Sequence, residues 1–305
     1  MFGLFSSHLS RFLPILFGAF LIACSGGVED SRVEQGNREG ILHMGNGTEP
    51  QGLDPHIVTG VPEHHILQAL FEGLVLKNPY TLEIEPGVAE SWDISEDGRT
   101  YIFHLREDAL WSNGQPVTAE DFYWSWERVL NPALGSQYAY MLFSVVGAEA
   151  YNTGELDDFS QVGAKVVDEH TFEVTLTEPT PYFLQVLDHY STFPVNKDNV
   201  LAFGSATDQL SQWAREGNIV TNGPFTLNEW RINSHLSVSK FEDYWGAEQV
   251  QLNGIVFYPT ENLVTEERMF RTGQLHITNE VPLSKIKTYL DESPDKISIM
   301  PYNGV

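Results

Sequence analysis

The sequence predicts an α/β protein of the mixed α+β kind, built on mixed sheets and not on a doubly wound parallel sheet. Strand-like runs of period two and helix-like runs with apolar residues three and four apart follow one another irregularly, without repeated βα units. No segment repeats at the ~20–50-residue periods of solenoids and propellers. The 305 residues are 42% hydrophobic and 12% aromatic, which is ample for large cores.

In chain order, Ile41-Leu42-His43-Met44 reads as a strand ending at Gly45-Asn46-Gly47, and the formal sequon Asn46-Gly47-Thr48 as part of that turn. Pro62 to Leu74 carries Ile66, Leu67, Leu70 and Phe71 at helical spacing, opened by Pro62 and closed by Gly73. His64 and His65, with Glu72 nearby, read as a solvated cap and not as metal ligands, because adjacent helical residues point in different directions.

Pro86 to Pro132 is the most ordered stretch. AESWDIS and RTYIFHLR flank Asp97-Gly98, a dipeptide that tolerates the positive φ of a tight hairpin turn. Tyr101, Phe103 and Leu105 form one apolar face of the second strand, and Ser112 to Pro116 makes a further turn. Thr118 followed by Asp121 reads as a capping box that opens a helix. That helix buries Phe122, Trp126, Val129 and Leu130 and stops at Asn131-Pro132, since proline disfavours helix in the preceding residue.

Further on, Val162 to Leu176 predicts a hairpin around Asp168-Glu169-His170. Pro179 and Pro181 open a helix with Thr180 as its cap, and Ala206 to Glu216 reads as another helix. Pro224 to Lys240 is strand, bend at Asn233-Ser234, and strand; Val250 to Tyr258 is a strand. Asn262 to Thr272 is a helix ended by Gly273, Gln274 to Thr278 a short strand, Leu283 to Leu290 a helix and Lys296 to Tyr302 a last strand.

The charge balance, 17 basic against 42 acidic side chains for a net −25, would repel phosphate backbones and argues against nucleic acid as a partner. The one cysteine, Cys24, directly follows the 12-residue apolar run FLPILFGAFLIA. Such a run is too short to span ~30 Å of hydrocarbon, so residues 1–24 read as a signal peptide. Leu21-Ile22-Ala23-Cys24 resembles a lipobox, which makes Cys24 the expected lipidation site and the lipid anchor the chain's contact with a membrane. Residues 25–40, rich in Ser, Gly, Glu and Asn, read as a flexible tether.

No enzyme signature emerges: the sequence holds no G-x-S-x-G, P-loop, H-E-x-x-H, G-x-G-x-x-G or C-x-x-C. Asp157-Asp158 and Glu266-Glu267 are adjacent acids, expected as solvated faces and not as catalytic pairs. The seven tryptophans stand mostly in apolar stripes and are expected mainly in the core.

The run AESWDISEDGRTYIFHLREDALWSNGQPVTAEDFYWSWER resembles the signature region of the family 5 extracytoplasmic solute-binding proteins, the receptors of ABC importers for peptides and nickel, and within them the oligopeptide-binding branch. Leu53-Asp54-Pro55-His56, Gly60-Val61-Pro62-Glu63, Leu70 to Leu74, Glu178 to Phe183 and Gly217 to Gly223 extend the resemblance in order. The resemblance implies a two-lobed, periplasmic-binding-protein-like fold of type II with an extra subdomain. Residues 41–77 would start lobe I, 78–194 form the subdomain, 195–301 return to lobe I and reach the hinge, and 302–305 start a largely missing second lobe.

The same resemblance implies capture of oligopeptides for an ABC permease outside the cytoplasm, in the periplasm or on the outer face of the envelope, with no enzymatic activity and no cofactor. Backbone pairing suits such a task, because every residue of any peptide offers the same amide and carbonyl. The peptide-lining positions that match are Thr59, Gly60, Val61 and Tyr138. Thr59 stands where close relatives carry an acid, and a one-residue deletion leaves a further contact open between Asn279 and Glu280. Two alternatives remain: a receptor of the same family for nickel, haem or a cell-wall peptide, and a truncated fragment that does not bind.

Overall fold

The computed structural model describes residues 30–299, so Cys24 and the last residues of the strand expected over 296–302 lie outside the described residues. Ten strands and eight α-helices occur among them. The first sheet has the order β1-β10-β9-β8, from β1 (Ile41–Gly45), β8 (Phe225–Arg231), β9 (His235–Lys240) and β10 (Gly254–Tyr258). β1 runs parallel to β10 and the other pairs are antiparallel, so the sheet is mixed as expected. The second sheet, β4-β5-β7-β6, is antiparallel throughout and comes from β4 (Ala89–Ile94), β5 (Thr100–Leu105), β6 (Ala164–Asp168) and β7 (Thr171–Thr175). β2 (Val75–Lys77) and β3 (Ile84–Pro86) form a small ribbon.

The helices are α1 (Arg32–Glu39), α2 (Val61–Leu70), α3 (Ala119–Leu130), α4 (Ala148–Thr153), α5 (Phe183–Val186), α6 (Lys197–Ala202), α7 (Leu263–Arg271) and α8 (Leu283–Glu292). Both hairpins of the second sheet form as their patterns require: Gly98 takes φ +69°, and Tyr101, Phe103 and Leu105 are buried on one face. Phe103 sits opposite Phe172 across the β5–β7 pair, and α3 covers that spot with Trp126 edge-on to Phe172 at 5.2 Å. Trp111, Trp124, Trp126 and Trp213 are buried, and Trp92, Trp230 and Trp245 pack half-buried against the same core. One hydrophobic cluster reaches from Leu53 to Phe257 and takes in side chains of both four-stranded sheets.

Several expectations need correction. Residues 32–39, assigned to the tether, are helical because Ser31 and Glu34 form a reciprocal capping box and Gly40 closes the helix at φ +70°. α2 ends at Leu70 and not at Gly73: Gly223 N–H takes the Leu70 carbonyl at 2.9 Å and the Asn222 side chain pairs with both backbone groups of Glu72, which pulls the chain out of helical geometry. Residues 206–216 form turns. There Asp208 accepts from Leu210 N, Ser211 donates to Phe203 O and Gln212 to Leu210 O, so side chains hold the backbone in place of a helical ladder. Residues 274–278 make only an isolated bridge, Met44 to Ile277, and residues 297–299 are irregular. Glu266 and Glu267 are buried, not solvated.

Candidate functional site

The candidate loop begins in a buried ion pair. Arg128, on α3, grips the Asp54 carboxylate with both terminal nitrogens, Nη1 to Oδ1 at 3.0 Å and Nη2 to Oδ2 at 2.6 Å. Trp213 Nε1 donates to Oδ2 at 3.2 Å and His56 N to Oδ1 at 3.0 Å. Arg128 Nη1 also donates to His56 Nδ1 at 2.9 Å, so the imidazole proton sits on Nε2 and is given to the Phe193 carbonyl at 3.0 Å. Burial works to raise the Asp54 pKa, but Arg128 and His56 together outweigh it and the carboxyl stays below its usual range. Burial, with Arg128 beside it, pushes His56 down to about 4. The Leu53-Asp54-Pro55-His56 block is thus pinned to α3, and Ile57 N and Val58 N both donate back to Asp54 O.

From this anchor the chain emerges as Val58-Thr59-Gly60-Val61. Tyr190 donates its hydroxyl to the Val58 carbonyl at 3.1 Å, and Tyr138 donates to the Thr59 carbonyl at 3.2 Å. Two tyrosines from distant segments thereby hold the successive carbonyls of Val58 and Thr59, just before Gly60, whose backbone is extended. Among the described residues the amides of Thr59 and Gly60 donate to nothing, and the side chains of Thr59 and Val61 are exposed. Gly60 lies directly on Glu63, whose buried carboxylate would be 1.9 Å from any Cβ placed there and accepts from Gln51 N at 2.6 Å.

Behind Tyr138 stands an aromatic and imidazole group. His189 meets the Tyr138 ring edge-on at 4.6 Å and stacks on Tyr190 at 4.3 Å, while His64 approaches Tyr190 at 5.7 Å. His64 and His65 are therefore not a solvated cap. Both are largely covered, His65 pairs with Asn46 Oδ1 at 3.1 Å, and burial lowers both pKa values, that of His64 to about 4. His189 is lowered to about 4, again chiefly by burial, with His64 and Lys77 adding to the effect. Glu72 is buried elsewhere, its carboxylate taking the Tyr244 hydroxyl and Trp245 Nε1, and burial pushes it up to about 7.

Thr59 to Val61 and Tyr138 are thus directly joined. Asn279 reaches the same neighbourhood through the Asn46-Gly47 turn: its side chain lies 3.2 Å from where a Gly47 Cβ would stand, with Pro62 at 3.9 Å from that point. Glu280 is exposed beside it. The sequence pattern alone did not disclose Asp54, His56, Arg128, Glu63, His189 or Tyr190 as supports of this loop; an apolar-surrounded acid and base in separate blocks was the one signal. Among the described residues no cluster of His, Cys, Asp and Glu could hold a metal ion, and no helix is long and apolar enough to cross a membrane.

Comparison with known proteins matches residues 83–305 to the bacterial extracellular solute-binding proteins, family 5, middle part. The periplasmic oligopeptide-binding protein OppA of Escherichia coli is 40% identical over 86% of this chain and 47% of its own length. The dipeptide-binding protein DppE of Bacillus subtilis is 36% identical over 88% of this chain and 47% of its own. Among solved structures, Haemophilus influenzae OppA in complex with the peptide RPPGFSPFR superposes with a TM-score of 0.78 at 33% identity, covering 83% of this chain and 48% of that one. The unliganded open form of the murein tripeptide-binding protein MppA gives 0.78 at 33%, covering 84% and 48%. The chain spans about half the length of the curated relatives it matches.

Proposed function

Because the chain belongs to the bacterial extracellular solute-binding proteins of family 5, we propose that it serves an ABC importer as the component that captures short peptides, and that it does so as a binding protein and not as an enzyme. The observation that carries the reading is the irregular segment Val58 to Gly60, extended at Gly60, with unused amides at Thr59 and Gly60 and carbonyls fixed by Tyr190 and Tyr138. An extended peptide laid along it pairs through its main chain, which gives affinity without regard to side-chain sequence. Asn279, next to the same turn system, supplies a further polar contact, and residues 41–77 with 195–301 act as one lobe carrying 78–194 as a subdomain. Cys24 carries the lipid that keeps the protein at the outer envelope face; stable anchoring takes more than one acyl chain.

Calorimetry with trialanine and with peptides of unrelated sequence tests the binding. Tyr138→Ala is expected to weaken all of them by a similar factor, about fivefold for one lost hydrogen bond of ~1 kcal/mol. Binding of nickel or haem in place of peptides would favour a receptor of the same family for another ligand. Cys24→Ser is expected to move the protein from the membrane fraction to the soluble one; a variant that still pellets at high salt would refute the anchor.

A further inference from the structure

Most buried charges in the described residues have evident partners: Asp54 has Arg128 and Trp213, Glu72 has Tyr244 and Trp245, and Glu267 has Arg271 and Tyr289. Glu266 differs. It is 0% exposed, and neither carboxylate oxygen closes a hydrogen bond of ordinary geometry. A buried carboxylate left in that condition costs stability, so its retention asks for a reason.

Its surroundings supply one. Glu266 lies in the first turn of α7 and presses against β1 so closely that a Cβ on Gly45 would come within 1.7 Å of Oε1. The amides of Gly47, Asn279 and Glu280 are turned toward the carboxylate and favour its charged form; burial opposes them and prevails, with the Glu280 carboxylate adding to the rise. These amides come from two segments far apart in sequence, the Asn46-Gly47 turn and the 279–280 segment. The turn is tied on its other side to α2, where Asn46 Nδ2 donates to the Pro62 carbonyl at 3.1 Å and the His65 ring donates to Asn46 Oδ1. Pro62 directly follows Val61. A continuous set of contacts therefore runs from the Glu266 carboxylate to Gly47, to Asn46, and to the start of α2 beneath the candidate loop.

We propose that Glu266 is a positioning residue of the binding groove: its carboxylate gathers the Gly47 turn and the Asn279–Glu280 segment, and so sets the spacing between Asn279 and Thr59–Val61. The proposal rests on the reading of those residues as groove residues. It also accounts for a glycine at position 45, where any side chain would displace the carboxylate.

The test uses Glu266→Gln, which keeps the volume and removes the carboxylate, with amide hydrogen exchange followed by NMR and trialanine affinity by calorimetry. Exchange at Gly47, Asn279 and Glu280 is expected to speed up about tenfold while the amides of β9 and β10 keep their rates, and trialanine binding should weaken. Gly45→Ala should reproduce the same local exchange signature. Unchanged exchange at the three amides in Glu266→Gln overturns the proposal whether or not peptide binds. Faster exchange with unaltered trialanine affinity overturns the link to the groove. Wild-type protein that binds no trialanine overturns the groove reading, and with it the positioning role, while the exchange data still decide whether the carboxylate gathers the two segments.

Discussion

Gly60 has an ordinary backbone conformation, φ −92°, so what the loop requires of it is smallness and not conformational freedom. A methyl group there collides with the Glu63 carboxylate, which must then leave Gln51 N. Gly60→Ala is expected to destabilise the protein by roughly 1–3 kcal/mol in urea unfolding, the range for overpacking with a lost hydrogen bond. The imidazoles predict a pH dependence. His56, His64 and His189 are held neutral in the folded chain, each lowered from 6.5 to about 4. Between pH 6.5 and about 4 the unfolded chain takes up protons that the folded chain refuses, so stability falls as pH falls through that window. Glu72 acts in the opposite sense. Raised from 4.5 to about 7, it keeps a proton in the folded state that the unfolded state releases, so its contribution falls as pH rises across that interval. Urea midpoints should therefore drop from pH 6.5 to 4.5, flatten in a His64→Gln, His189→Gln double variant and steepen in Glu72→Gln; a double variant with the wild-type slope would refute the assignment.

At the level of elements, what the sequence made legible were those closed by local chemistry. α3 is the clearest case: the Asp121 carboxylate accepts from Thr118 N at 2.8 Å and from Thr118 Oγ1 at 3.1 Å, and Pro132 lies two residues beyond its end. Asp121→Ala should cost about 1 kcal/mol, measured by chemical denaturation. The β8–β9 hairpin was equally readable, because Asn233 tolerates the φ of +59° its bend needs. The turns over 206–216 were not. Their side chains spend their hydrogen bonds on nearby backbone, and Trp213 reaches Asp54 at a sequence distance of 159 residues, which no local pattern encodes. α6 was missed although Asn196 caps it by accepting from Asn199 N, a signal present in the sequence but attached to only six residues. The same holds for the candidate loop: Thr59 and Tyr138 were expected to share one groove and the Tyr138 hydroxyl does meet the Thr59 carbonyl, whereas Arg128 looked like one more polar position on a helix until Asp54, 74 residues away, was placed against it.

In the molecule as a whole, the two four-stranded sheets differ in how far apart their partners lie in the chain. β4 to β7 all come from residues 89 to 175, whereas β1 must find β10, pairing Ile41 with Gly254 and Gly45 with Tyr258. Non-local pairing is slow because the chain entropy of closing the loop is lost before contacts repay it. In pulse-labelled refolding, amides of β5 and β7 are therefore expected to be protected before those of β1 and β10; simultaneous protection would contradict this. The parallel pairing also bears on the chain while it is being made. At ~5–20 residues per second, the ribosome needs roughly 10–40 s to travel from β1 to β10, and throughout that time Ile41–Gly45 is an orphan strand awaiting a partner that does not yet exist. Ile41, Leu42 and Met44 make it apolar, and it has neither a proline nor an acidic, lysine or arginine side chain, so until β10 is made it offers other chains an open edge to pair with.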